Sequence, residues 1–337
     1  MAEKEKKSVT YEGGDQVGKG DAVTNLAEYL SELGVETEVV QFPYYSAPMG
    51  YLVRDILVNN ISDDLGIDNE RKLDIKLAFF ALNRLEILNC LECCEERDIY
   101  VFDRGPHSCA LTIAYDISNR DSWSEEYIQS AIDKGLDFDS YFINTLNIAN
   151  CIICLKHNGM VWKASRGEGE DLHESEDVQR LSEEVYTLIE RRVGEGWKNV
   201  ITKSEKGWEN REEIRDRVLS FMVKRGFPVN CGDGRELEPE YLGISEIQNS
   251  MYIGSQVDKE LKKAWMVAIR SNNKKEVYSL AKDISKAFVA GTERVLWHSL
   301  GVRGAFKEIL DDYPEICYII SNKYGDKFLN KLLESLK

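Results

Sequence analysis

Apolar runs and helical stripes alternate along the first two-thirds of the chain. Val9–Glu12 reads as a short strand that ends in glycines. Residues 22–33 place Leu26, Ala27, Leu30 and Leu33 at helical spacing, and Gly34 follows as a stop signal. Val35–Phe42 (VETEVVQF), Asp98–Phe102 (DIYVF), Cys151–Leu155 (CIICL) and Asn199–Thr202 read as four more strands, and Leu73–Cys94 as a long helix. This alternation predicts an α/β fold of three layers, a five-stranded parallel sheet with helices on both faces. A Gly-rich, charged segment, residues 165–176, interrupts the pattern after the fourth strand and reads as a loop.

After Met222 the pattern changes. Gly226, Pro228, Gly232, Gly234 and Pro239 punctuate a linker. Beyond it helical periodicity dominates, roughly over 257–271, 274–290 and 293–300, with short helices to the end. The expected organisation is one domain over 1–226 and a mainly helical C-terminal domain over 227–337. Trp265, Phe288, Trp297, Tyr318 and Phe328 recur on helical faces and are expected to form its small core.

Composition adds exclusions. Of 337 residues, 43% are hydrophobic and 30% charged, a globular mix. The net charge of −16 lies wholly in 1–226, because residues 227–337 balance 16 Lys and Arg against 16 Asp and Glu. An acidic domain argues against general nucleic-acid binding, which draws on many Lys and Arg contacts to phosphate. Lys259, Lys262, Lys263, Lys274 and Lys275 form a basic stripe, but acidic residues intersperse it, as on a solvated face. No run of about 18 apolar residues marks a membrane helix. The first residues, MAEKEKKSVTYEGG, lack the apolar region of a signal peptide. A cytoplasmic location is expected, with the eight cysteines as reduced packing thiols.

The chemistry concentrates in GGDQVGKGD, Gly13–Asp21. Gly13, Gly18 and Lys19 fit the G-x-x-x-x-G-K part of a phosphate-binding P-loop, with a strand before and a helix after. Glycines let backbone N–H groups wrap a phosphate chain, and the helix N-terminus adds favourable partial charge. The expected ATP-binding set is Gly13, Gly14, Asp15, Gln16, Val17, Gly18, Lys19, Gly20 and Asp21. The loop ends unusually: Gly20 stands where a Ser or Thr hydroxyl would bind Mg²⁺, and Asp21 follows.

With this loop, QFP at 41–43, FFALNR at 79–84 and DRGPHS at 103–108 follow in order, then KASRGEGEDLHESED from Lys163. Over residues 8–225 this frame resembles the thymidylate kinases. The resemblance implies transfer of the ATP γ-phosphate to thymidine monophosphate, giving the diphosphate, with Mg²⁺ as cofactor and pairing as a homodimer. It places Asp15 near the acceptor sugar and phosphate. It stacks the base on Phe80 and hydrogen-bonds it from Arg84, one helical turn on. It has Arg104 clamp the acceptor phosphate, Asp103 sit near the metal, Ser108 face the base and Phe42 shape the monophosphate pocket. Lys163 and Arg166 in the lid would supply positive charge to the moving phosphate. Asp171 and Glu174 frame the lid patch, with His173 where an aromatic is usual.

The frame also departs from that family. Tyr44 and Tyr45 stand where an Arg is usual, and Gly105 replaces an aromatic. Two other readings therefore stay open: a phosphotransferase for another nucleoside or nucleotide, and a catalytically weak nucleotide-binding module whose C-terminal domain binds a partner.

Overall fold

The computed structural model describes residues 6–59, 65–158, 173, 175–229, 237–254, 257–271 and 273–337. The chain forms two compact units, one from Met1–Phe42 with Glu96–Tyr241, the other from Pro43–Glu95 with Leu242–Lys337.

In chain order, β1 (Ser8–Glu12), α1 (Lys19–Glu32) and β2 (Thr37–Gln41) open the first unit. The helices α2 (Pro48–Asn59) and α3 (Asn69–Leu91) belong to the second. The chain returns to the first unit with β3 (Ile99–Asp103), α4 (Cys109–Ser118), α5 (Glu125–Phe138), α6 (Ser140–Thr145) and β4 (Ile152–His157). Then follow α7 (Glu176–Val193), β5 (Trp197–Ser204), β6 (Gly207–Trp208), α8 (Arg211–Lys224) and β7 (Glu240–Tyr241).

The sheet runs β6-β5-β4-β1-β3-β2-β7. Its five central strands are those expected, and all pair in parallel. The count of five is corrected to seven among the described residues. The hairpin strand β6 adds antiparallel to β5, and β7 adds parallel to β2. Each has two residues, too few to show a period. Arg97 secures the β7 edge by reaching both Glu38 and Glu240.

Alternation along the strands sets the layers. Val9 and Tyr11 of β1, with Val39, Val101, Ile153 and Val200, share one buried cluster with Leu26 and Leu30 of α1 and Val218 and Met222 of α8. Tyr100 and Phe102 alternate with that set, and Phe102 meets Phe42 and Phe142 instead. Helix α1 ends where expected: Gly34 takes φ 73° and its N–H bonds the Ser31 carbonyl.

The second unit is helical: α2, α3, α9 (Ile244–Ser250), α10 (Lys259–Ser271), α11 (Lys274–Gly291), α12 (Leu300–Asp312), α13 (Pro314–Tyr324) and α14 (Asp326–Ser335). The pair β8 (Tyr252–Ile253) and β9 (Arg294–Val295) lies among them. Residues 293–300 are therefore not a helix, because pairing with β8 draws Arg294–Val295 into a strand.

Division of the chain at residue 226 does not describe these units. Helix α3 has 18 of its 23 residues buried, and α2, α9, α12 and α13 pack against it. Asp68 caps its N-terminus by accepting from Arg71 N–H at 2.8 Å. Arg71 pairs with Glu315 at 2.9 Å, and Asn89 donates to the Leu296 carbonyl at 2.8 Å. Glu86 is fully buried, accepting from Tyr252 Oη and from Met49 N–H at 3.1 Å. Trp265, Phe288 and Phe328 are core residues as expected, whereas Tyr318 is 60% exposed and is not.

Candidate phosphate-binding site

The first unit reverses its strand order at β1. Strand β1 lies between β3 and β4, so its C-terminal end faces the crevice where open parallel sheets bind ligands. Residues 13–18 leave β1 there and turn into α1. Gly13 has φ 126°, and a Cβ on it would lie 2.4 Å from the Leu155 carbonyl oxygen. Only glycine fits. Gly18 has φ 86° and Gln16 φ 60°, so the loop curls through two left-handed positions before the helix.

Lys19 begins α1 with only 8% of its surface exposed. Its Nζ donates to the carbonyls of Gly13, at 3.2 Å, and Gly14. Burial, and then repulsion from Arg104, bring its pKa down to about 8. Thr202 of β5 steadies the loop from below, donating its hydroxyl to the Val17 carbonyl at 2.8 Å.

Beside this loop, β3 ends at Asp103, and Arg104 follows directly. Arg104 has φ 70°, an uncommon conformation for a non-glycine residue and a strain that concentrates at functional sites. Its guanidinium reaches the Gly13 carbonyl at 3.1 Å and pairs with Asp15. Gln179 of α7 grips Asp15 twice: the Asp15 N–H donates to Oε1 at 2.6 Å, and Nε2 donates to Oδ2 at 3.0 Å. Nε2 also donates to the His173 carbonyl at 2.6 Å. Glu12, buried at the end of β1, accepts from Gly105 N–H at 3.0 Å and from Ser108 Oγ at 2.5 Å. Glu12 opens the EGGDQVGKG frame, but its part in holding the turn after β3 was not read from it, and Gln179 and Thr202 gave no signal in the sequence. A single polar residue in a strand or helix shows its partners only after folding.

The structure thus gathers Gly13–Lys19, Asp103, Arg104 and Ser108 in one crevice. Asp21 turns away: its side chain is 81% exposed and meets Arg211 at 3.5 Å. Phe42 is a packing residue, 3% exposed, its ring against Phe102 and Phe142 at 6.0 and 5.7 Å. Phe80 and Arg84 lie one turn apart on α3, in the second unit, with Arg84 3% exposed. Lys163, Arg166, Asp171 and Glu174 lie outside the described residues.

For Mg²⁺ the donor chemistry is spare. Asp103 is a hard oxygen ligand, and burial raises its pKa while Lys19 and Arg104 pull it down. A Cβ on Gly20 would lie 3.9 Å from Asp103 Oδ2, so a side chain at position 20 would border this carboxylate. Among the described residues no three His, Cys, Asp or Glu side chains converge. This set fits an ion that keeps several waters and leans on phosphates and one carboxylate. Cys151 and Cys154 are buried packing thiols, pushed up to about 12 by desolvation. No helix among the described residues is long and apolar enough to cross a membrane.

A glycine-lined turn between strand and helix, with a buried lysine at its end and an Asp-Arg pair on the next strand, has the form of a phosphate-binding P-loop. No family model matches the chain, and no curated protein matches it. Among solved structures it is similar to a thymidylate kinase from Candida albicans. That match has 16% identity and TM-score 0.45, covering 66% of this chain and 93% of that one. It is also similar to a thymidylate kinase from Ehrlichia chaffeensis, at 20% identity and TM-score 0.41, covering 65% of this chain and 100% of that one.

Proposed function

We propose that this chain is an ATP-dependent nucleoside-monophosphate kinase that converts thymidine monophosphate to the diphosphate. One observation carries the reading. The loop that would hold the donor phosphates and the arginine that would hold an acceptor phosphate share one crevice, with Arg104 bonded to the Gly13 carbonyl.

In this reading the amides of Gly13–Lys19 bind the donor phosphates. Lys19 exchanges two backbone carbonyls for phosphate oxygens, regaining full charge as it does so. Arg104 offers its fork to the acceptor phosphate, and Asp15 with Gln179 aligns that fork. Asp103 would hold Mg²⁺, which supplies charge neutralisation for the phosphates. Phe80 and Arg84 are the proposed base-reading pair, and Lys163 and Arg166 the proposed lid cations.

Gly20 favours a second reading, a nucleotide-binding module with weak transfer, because it gives the metal no hydroxyl. Steady-state transfer from ATP to a panel of nucleosides and monophosphates separates the two. Lys19→Ala should abolish transfer to thymidine monophosphate. Survival of transfer within a few-fold would remove the P-loop from the mechanism, and its absence in the parent chain would favour the binding module.

A further inference from the structure

Trp208 is 56% exposed, although an indole is among the costliest side chains to leave in water. It sits on β6, at the open edge of the sheet, carried there by the turn at Gly207, which has φ 110°. Its ring leans on the phosphate loop: a Cβ on Gly18 would lie 3.3 Å from Trp208 Cζ3. Gly18 directly precedes Lys19. Two further groups frame the indole. The Lys203 ammonium lies 5.3 Å from its ring centroid, and the His157 ring meets it edge-on at 5.5 Å. His157 Nε2 is buried with no hydrogen-bond partner among the described residues.

An exposed aromatic face, a cation over it and an imidazole ring bracing it thus meet at the mouth of the loop. A chain of phosphates on that loop carries a sugar and a base within reach of this edge. We propose that Trp208, His157 and Lys203 form the base-and-ribose subsite of the nucleotide whose phosphates lie on Gly13–Lys19. This rests on the P-loop reading above. The indole stacks on the base, and the His157 ring, edge-on against the indole, holds it in place. Stacking is tolerant of base identity, because every base has a π-face. The subsite therefore accepts ATP and GTP with similar affinity, and its selectivity lies in requiring an aromatic base at all.

The test compares ATP, GTP and inorganic tripolyphosphate, by calorimetry, on the full chain and on Trp208→Leu and Trp208→Phe. Leucine keeps apolar bulk against Gly18 but has no π-face; phenylalanine keeps one. Trp208→Leu should weaken ATP and GTP about five- to hundredfold, leave tripolyphosphate unchanged, and be largely rescued in Trp208→Phe. Equal loss for all three ligands would reduce Trp208 to a cover on the loop and overturn the proposal. So would undiminished ATP affinity in Trp208→Leu. If the parent chain binds neither ATP nor tripolyphosphate, the P-loop reading itself fails and the subsite falls with it.

Discussion

Glu12 Oε2 and Ser108 Oγ lie 2.5 Å apart, joining the end of β1 to the start of the helix that follows β3. With Gly105 N–H on its other oxygen, Glu12 ties down the turn that presents Arg104. Charge-assisted bonds of this length are among the stronger ones in proteins. Glu12→Ala leaves a buried N–H and a partly buried hydroxyl without their acceptor, and should cost about 2–3 kcal/mol. Glu12→Gln keeps one acceptor and should cost less. Chemical denaturation of both variants checks the order; equal stability of Glu12→Ala and the parent chain would show the turn holds itself.

Lys19 supplies a pH dependence. Its pKa of about 8 in the ligand-free fold lies below the ordinary lysine value, so it is partly neutral at pH 8–9. Bound phosphate favours the charged form and raises that pKa. ATP binding near pH 8 should therefore take up protons, and near pH 6, where Lys19 is already charged, this contribution should vanish. Binding enthalpies in buffers of different ionisation heat measure the uptake directly.

Gly20→Ser should be tolerated, because its Cβ would meet Asp103 Oδ2 at an ordinary 3.9 Å. Replacing a helical glycine should add about 0.5 kcal/mol of stability. The new hydroxyl would stand beside the proposed metal carboxylate. Transfer by the variant should need less Mg²⁺ for half-maximal rate, as titration of rate against Mg²⁺ would show.

Glu86 predicts a different pH effect in the helical unit. Burial raises its pKa to about 7, from an ordinary 4.5. The folded state then holds the proton more tightly than the unfolded one. The stabilisation is complete below about pH 4.5 and lost as pH rises through 7. Its size is on the order of 3 kcal/mol. Glu86→Gln is neutral throughout, so its stability should be flatter between pH 5 and 8 and exceed the parent's at pH 8. Parallel denaturation curves at both pH values decide it.

A chain ending at Gly226 should not fold fully. It would keep α2 and α3 but lose α9, α11, α12 and α13, which pack on them. Ile75, Leu82, Leu85 and Ile87, all fully buried, lie on α3 and would lose partners. Aggregation on size-exclusion chromatography is expected. A monomer with one sharp thermal transition would show that the first 226 residues suffice.

The five central strands were legible because runs such as VETEVVQF and CIICL are long enough to show what they are. The strand–turn–helix at Gly13–Lys19 was legible because a tight turn into a helix demands glycine where φ is positive, as at Gly13 and Gly18. The boundary at 226 was misleading for a physical reason. Linker punctuation is local, but α3 is buried on almost every side, with Asn83, Glu86 and Asn89 turned inward among its apolar residues, and its sequence does not say which elements bury it. Phe42 shows the same limit within the site. The resemblance gave it a part in shaping a pocket, but the neighbours that pack its ring, Phe102 and Phe142, come 60 and 100 residues later and could not be read from its surroundings in the sequence.

The placement of α2 and α3 between β2 and β3 has a consequence for synthesis. A ribosome releases these two helices about 150 residues before the helices that cover them. Until residues 242–337 emerge, the nascent chain carries an uncovered apolar helix pair between two strands of its sheet. Such transient surface is what chaperones bind and what aggregates when they do not.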